Sequence, residues 1–334
     1  MVYVHIPFCK SFCTYCDFYS EICSERVQNL FLESLFSEIE SRRDEILLSN
    51  EVRTLYFGGG TPSLLSAGTI SEIAGAIDNG PYDEFTVEVN PDDIVSKGVD
   101  YVRELKKIGV NRISMGVQSF DDSILKWMNR RHTAGMAEEA IDIIRRSGIE
   151  NISLDLIFGI SQLGDELWER TLDKALSLRP EHISAYQLSI EEGSALHTMI
   201  EDGRYVEADE EKCRRQYEIL CRKLSEAGYH HYEISNFALP GKEAVHNSAY
   251  WQRKPYVGLG PGAHSLKGEN VRSWNSQQLY GWTSECEALS EEEIREETLM
   301  LGLRTDKGAF GMVIPESKWF VSDDIICNLI SEQS

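Results

Sequence analysis

Three of the eight cysteines in this sequence of 334 residues, Cys9, Cys13 and Cys16, fall within one short stretch in a Cys-x3-Cys-x2-Cys pattern. With cysteine at about 2.4 % of the chain, that pattern arises by chance at a rate of roughly 0.005, so chemistry is sought there first. Three thiolates in one loop can each bind one iron of a [4Fe–4S] cube and leave the fourth iron open to an outside ligand. The alternative is zinc held by the same cysteines and a fourth ligand such as His5. The remaining cysteines, Cys23, Cys213, Cys221, Cys286 and Cys327, have no ligand spacing and read as buried or incidental thiols.

Further polar residues stand where strand-like runs end. Gly58-Gly59-Gly60-Thr61-Pro62 follows one run, and a backbone without side chains there can approach a ligand closely. Glu88 in EVNP, Gln118 in GVQSF, Asp155 in LDLIFG and Ser189 after YQL end the next runs, and Arg130 comes twelve residues after Gln118. Each alone also reads as a polar residue satisfying a turn.

The elements that must position them follow a rhythm. Apolar, strand-like runs at 2–6, 54–57, 85–89, 112–117, 152–158 and 183–188 start about 30 residues apart, the length of a βα unit. The first intervening segment sets Val27, Leu30, Phe31, Leu35 and Ile39 on one stripe, with Glu33, Glu38, Arg42 and Arg43 off it. Successive right-handed crossovers wind one way, so an α/β fold is expected in which a parallel sheet curls into an incomplete (β/α)6 barrel with its chemistry at the C-terminal strand ends. After a helical stretch at 209–227 the rhythm stops. We therefore expect two regions, 1–227 as the partial barrel and 228–334 as a smaller C-terminal α+β region, with a helix at 291–303 and an abbreviated tail left unassigned from Lys307.

Composition narrows the classes. The chain carries 33 basic and 55 acidic residues, a net charge of −22, which opposes a nucleic-acid footprint. No stretch approaches about 20 uninterrupted apolar residues, and Met1 leads straight into VYVHI, so the expected protein is soluble and cytoplasmic.

In order, YVHIPFCKSFCTYCDF, GGGTP, EVNP, GVQSF and LDLIFG resemble the motifs of radical S-adenosylmethionine (SAM) enzymes. More narrowly they are similar to the branch that holds the oxygen-independent coproporphyrinogen III oxidases and the HemW-type haem chaperones, and the resemblance runs from Tyr3 to Ser265. It implies a [4Fe–4S] cluster on Cys9, Cys13 and Cys16, whose open iron takes SAM through its amino and carboxylate groups. One electron from the cluster then cleaves the sulfonium to a 5′-deoxyadenosyl radical, chemistry that belongs to the cofactor. It also implies that Gly59, Gly60 and Thr61 hold the SAM amino group, that Glu88 binds the ribose diol, and that Gln118, Arg130, Asp155, Tyr3, Tyr15 and Ser189 complete the SAM contacts. His5 and Asp17 match the family without an assigned role.

Two features separate the branches. The oxidases resemble CxxxCxxCxC and carry an N-terminal extension, whereas here Asp17 and Phe18 follow Cys16 and the chain starts at the cluster strand. His246-Asn247-Ser248-Ala249-Tyr250-Trp251 matches the HNxxYW motif of the haem-chaperone branch. An imidazole flanked by aromatics suits ligation of haem iron and stacking on a porphyrin, although the same residues also read as packing at a domain junction. The expectation is a haem chaperone with haem on His246, with His230, His231 and His264 in the same segment. Its expected partners are an apo-haemoprotein acceptor, a low-potential electron donor and, through the acceptor, peripheral membrane contact. The enzymatic alternative is anaerobic decarboxylation of coproporphyrinogen. An RNA-modifying relative is disfavoured by the acidic charge, and a zinc protein is the last alternative.

Overall fold

A computed structural model describes residues 1–22, 24–78 and 80–331. Cys23 and the last three residues of the expected C-terminal region lie outside the described residues. The chain opens with β1 (Val2–Ile6), a short parallel pair β2 (Phe8–Cys9) and β3 (Glu21–Ile22), and helices α1 (Glu25–Ser41) and α2 (Arg43–Leu48). Then come β4 (Thr54–Gly59), α3 (Ala67–Ile77), β5 (Glu84–Val89), α4 (Pro91–Lys107, interrupted at Gly98) and β6 (Arg112–Gln118). Next are α5 (Asp122–Trp127), α6 (Ala134–Ser147), β7 (Asn151–Phe158), α7 (Asp165–Ser177), β8 (His182–Gln187), α8 (Ala195–Glu201) and α9 (Glu210–Glu226).

β1, β4, β5, β6, β7 and β8 are parallel neighbours in that order, the six strands of the expected partial barrel. Their sequences alternate because their two faces meet different surroundings. Val4, Ile6, Leu55, Phe57, Phe85, Val87, Ile113, Met115, Leu154 and Ile183 are fully buried in the apolar core, each large one contributing about 2 kcal/mol. The intervening positions carry Tyr56, Glu88, Ser114, Asp155 and Ser184 and face the barrel interior. Helix starts follow from capping side chains: Ser24, Ser66, Thr133, Ser194 and Asp209 each accept an amide hydrogen of the first turn.

Beyond residue 227 come β9 (His230–Glu233), β10 (Asn236–Ala238), α10 (Val245–Trp251), β11 (Val257–Leu259), β12 (His264–Lys267), β13 (Val271–Asn275), β14 (Ser284–Ala288), α11 (Glu291–Gly302) and α12 (Ser322–Ser331). This region does not form a separate layer. β10 pairs antiparallel with β8, β9 pairs with β10, and β11 pairs parallel with β1, so both edges of one nine-stranded sheet are completed from it. β12, β13 and β14 make a small antiparallel sheet of their own. The unassigned tail holds a 3-10 turn at Glu316–Val321 that runs into α12.

Candidate functional site

The C-terminal ends of the barrel strands enclose a cavity of about 910 Å³. Cys9, Cys13 and Cys16 line one side of it, on the loop that leaves β1. The α5–α6 connection clamps this loop: the Thr14 amide donates to Met128 O (3.1 Å), the Thr14 hydroxyl to Trp127 O (3.0 Å), and Asn129 Nδ2 to Phe12 O (2.7 Å). Arg130 follows directly. Its Nη1 donates to Cys13 Sγ (3.4 Å) and its Nη2 to Asn90 Oδ1 (2.6 Å), so one buried guanidinium ties the thiol loop to the end of β5. Burial pushes the Cys16 thiol up to about 11, and ligation of a metal there must displace a proton. His5 is engaged at both ring nitrogens, by the Tyr3 hydroxyl (3.1 Å) and by Tyr19 O (2.9 Å), which removes it as a fourth zinc ligand.

The glycine loop packs tightly against the protein. A Cβ at Gly60 would lie 2.7 Å from Phe8 O, and Gly59 has φ of +104° and a Cβ there would lie 2.5 Å from the His5 ring. Only glycine there lets the end of β4 reach the thiol loop. Thr61 Oγ1 then stands 3.6 Å from Cys9 Sγ and accepts from Asn90 Nδ2 (3.2 Å). Glu88 lies part-buried on the cavity wall, accepting from the Tyr56 hydroxyl (2.8 Å) and from the Gly59 amide (3.2 Å). Burial outweighs those bonds and lifts its carboxyl to about 7. Asp155 accepts from the Ser114 hydroxyl (3.3 Å) and is lifted to about 6, again chiefly by burial. Gln118 sits at a register shift in β6 with φ of +65°, a strained backbone of the kind that collects at functional sites.

The structure thus brings Cys9, Cys13, Cys16, Tyr15, Gly59, Gly60, Thr61, Glu88, Gln118, Arg130, Asp155 and Ser189 to one cavity, Ser189 at its exposed rim. Tyr3 is not on the wall: its hydroxyl is turned to His5. His246 is also off the wall, 1 % exposed, with Nδ1 bonded to the Thr54 hydroxyl (2.8 Å) and Nε2 to the Tyr250 hydroxyl (3.1 Å). Burial pushes it down to about 3, so the ring is neutral. The next residue, Asn247, does line the cavity.

A family model of the radical SAM superfamily matches residues 3–175. The chain is 35 % identical over 317 residues to the haem chaperone HemW of Lactococcus lactis, covering 92 % of this chain and 82 % of that one. It is 34 % identical over 322 residues to that of Bacillus subtilis, covering 92 % and 83 %. The chain belongs to the radical SAM superfamily, in its HemW branch. Its fold is that of coproporphyrinogen III oxidase from Escherichia coli, with a TM-score of 0.77 at 23 % identity over 91 % of this chain and 75 % of that one.

Several groups of this radical SAM site went unread in the sequence. Tyr56, Arg112, Ser114, Ser184 and Tyr186 line the cavity from within strands, where alternation alone marks them as polar-face residues. Glu84, at the opposite end of β5, accepts from the amides of Val245 (2.7 Å) and His246 (3.4 Å), and so caps α10. Among the described residues, the donor atoms of Cys221, His231 and Glu316 lie within 4.8 Å of one another. No described helix is long and apolar enough to cross a membrane.

Proposed function

We propose that this radical SAM protein is a haem chaperone, which holds a [4Fe–4S] cluster on Cys9, Cys13 and Cys16, binds SAM in the adjoining cavity, and carries haem through its C-terminal region to an apo-haemoprotein. The observation that carries this reading is the convergence of the three thiols with polar groups from the strand ends on one cavity, into which Asn247 of the HNSAYW segment also reaches. The residues fit the cofactor pair. Arg130 offers positive charge beside Cys13, Thr61 stands beside Cys9, Gly59 and Gly60 line the same cavity, and Glu88 offers carboxylate oxygens to a diol. Gln118, Asp155, Tyr15 and Ser189 would complete the SAM contacts, while Tyr3 would act through His5, which it orients. When bound, the pair supplies one-electron reductive cleavage of SAM, fed by a low-potential donor.

Haem is the cargo of this reading, and His246 is its proposed axial ligand. In the structure α10 is closed over that imidazole, so ligation requires the helix to swing away from Thr54 and Glu84. His230 is the accessible alternative: it is half exposed and lines, with Trp251, a second cavity of about 450 Å³. An acceptor haemoprotein in a membrane would bring peripheral membrane contact, and the acidic surface argues against nucleic acid. The proposed setting is the cytoplasm.

The test is an anaerobic haem titration of the cluster-reconstituted protein, followed at the Soret band for wild type, His246→Ala and His230→Ala. One haem per chain, lost in His246→Ala, is the expected outcome. Loss in His230→Ala alone would move the ligand to the second cavity. Absence of saturable binding together with decarboxylated product from coproporphyrinogen III would overturn the chaperone reading in favour of the oxidase.

A further inference from the structure

Away from the barrel mouth, the edge of the sheet carries a second set of soft and borderline donors. Cys221 sits in the last turns of α9, His231 in the edge strand β9, and Glu316 in the 3-10 turn after Pro315. His231 Nδ1 is 2.9 Å from Glu316 Oε1 and 3.9 Å from Cys221 Sγ, and all three donor atoms fall within 4.8 Å of one another. The imidazole is locked in place. It stacks on Phe237 at 3.9 Å between ring centroids and meets the Trp319 ring edge-on at 4.4 Å. Its Nε2 faces Ile234 O at 3.4 Å and the Tyr217 hydroxyl at 3.5 Å. A proton on Nε2 can therefore serve that carbonyl and leave the Nδ1 lone pair to point at the cluster, the arrangement that orients a metal-bound histidine.

We propose that Cys221, His231 and Glu316 form a zinc site, distinct from the thiol loop of the barrel, that fastens the C-terminal segment to the edge of the sheet. One thiolate, one carboxylate and one neutral imidazole around Zn²⁺ sum to zero charge, which suits a partly buried position. A cavity of about 340 Å³, lined by the three donors together with Ser225 and Asp306, leaves room for water as the fourth ligand. The consequence is structural. β9 is the last strand of the sheet, and the segment that carries Glu316 is also docked by buried Trp319 against the His231 ring, while the indole bond to Ile314 O (2.9 Å) holds the segment's own turn. A metal there would join helix, edge strand and tail, beside the stretch 304–306 that already lies along β9 through the bonds Ile234 N to Arg304 O (3.0 Å) and Asp306 N to Tyr232 O (3.1 Å).

The experiment uses the full chain in two forms. In the cluster-loaded protein, zinc is measured by elemental analysis after equilibration with micromolar Zn²⁺ and exhaustive dialysis. In a Cys9→Ser, Cys13→Ser, Cys16→Ser chain, which has lost the competing thiols, Co²⁺ is titrated and the thiolate-to-cobalt absorption followed. The expected result is one metal per chain in both forms, abolished by Cys221→Ala and weakened about tenfold or more by Glu316→Gln. Glu316 is exposed, so that variant keeps the fold. Zinc-free wild type, or retention unchanged in Cys221→Ala, would overturn the site and leave a His231–Glu316 hydrogen bond beside an ordinary thiol. Neither result bears on haem or SAM, so failure here is separable from failure of the chaperone reading.

Discussion

In the barrel mouth, Glu88 and Asp155 are part-buried carboxylates on the cavity wall that accept from hydroxyls and one amide, and desolvation lifts both well above the ordinary carboxylate range. At the other end of the same strands, the seat of α10 uses similar residue types to opposite effect. There Glu84 takes the amides of Val245 and His246, Thr54 takes one nitrogen of His246, and Tyr250 takes the other. The mouth leaves Nε of Arg112 and of Arg130 buried without a partner, as a site awaiting a polar ligand can, whereas both nitrogens of His246 in the α10 seat are bonded. A histidine in a recognisable motif is thus a structural residue in this conformation and becomes a ligand only if its helix opens. Either end can be perturbed independently.

The largest effect is expected in the mouth. Cys13→Ala removes one cluster ligand and the acceptor of the Arg130 bond, and the purified, reconstituted chain should lose its cluster iron entirely, read as iron and sulfide per chain. Full iron content in that variant would break the assignment of the loop. The next effect belongs to the α10 seat. Glu84→Ala strips two amides of their acceptor and leaves buried Arg112 without its nearest anionic influence among the carboxylates, which should cost about 3 kcal/mol or more in urea denaturation. The same variant sharpens the haem question. If His246 is the ligand, loosening α10 should raise haem affinity while lowering stability, whereas ligation by His230 predicts no change in affinity.

How much of this was legible depended on distance along the chain. Ile113, Met115 and Val117 alternate with Ser114 and Gly116 within one run, so β6 and its inward face could be read locally. The thiol loop is local too, and Glu88 and Gln118 are legible because strand ends are where parallel folds place chemistry, whereas Asp155, inside β7, is marked by the family resemblance of LDLIFG. β10 and β11 are three residues each and carry no readable period, so the way the C-terminal region completes both sheet edges was hidden. The seat of α10 was hidden for another reason: Thr54, Glu84 and His246 are far apart in sequence, and an imidazole among aromatics looks the same whether packed or exposed. The trio of Cys221, His231 and Glu316 has no spacing signal at all, and Cys221 read as incidental.

The smallest effect, and the sharpest contrast between the two ends, is a pH dependence carried by Glu88. Its carboxyl ionises near 4.5 in an unfolded chain and at about 7 in the ligand-free fold, so the folded protein binds more protons across that window. Stability therefore falls as pH rises from about 4.5 to about 7 and levels off above it, by at most about 3 kcal/mol. Asp155 acts with the same sign at somewhat lower pH, being lifted to about 6. Urea denaturation of the ligand-free chain and of Glu88→Gln across this range should show the fall as a difference between the two curves, wild type losing stability relative to the variant as pH rises. A diol that donates to Glu88 favours the charged carboxylate, so SAM should bind more tightly as pH rises through the same window and release a proton on binding, read by calorimetry in buffers of different ionisation heat. His246, lowered from 6.5 to about 3 by burial, acts with the opposite sign: the unfolded chain binds its proton more readily, so the α10 seat gains stability as pH rises from about 3 to about 6.5 and flattens above it. A wild-type minus Glu88→Gln difference that stays flat from pH 5 to 7, or SAM affinity without pH dependence, would mean that the Glu88 carboxyl is ionised throughout and that burial does not govern the mouth.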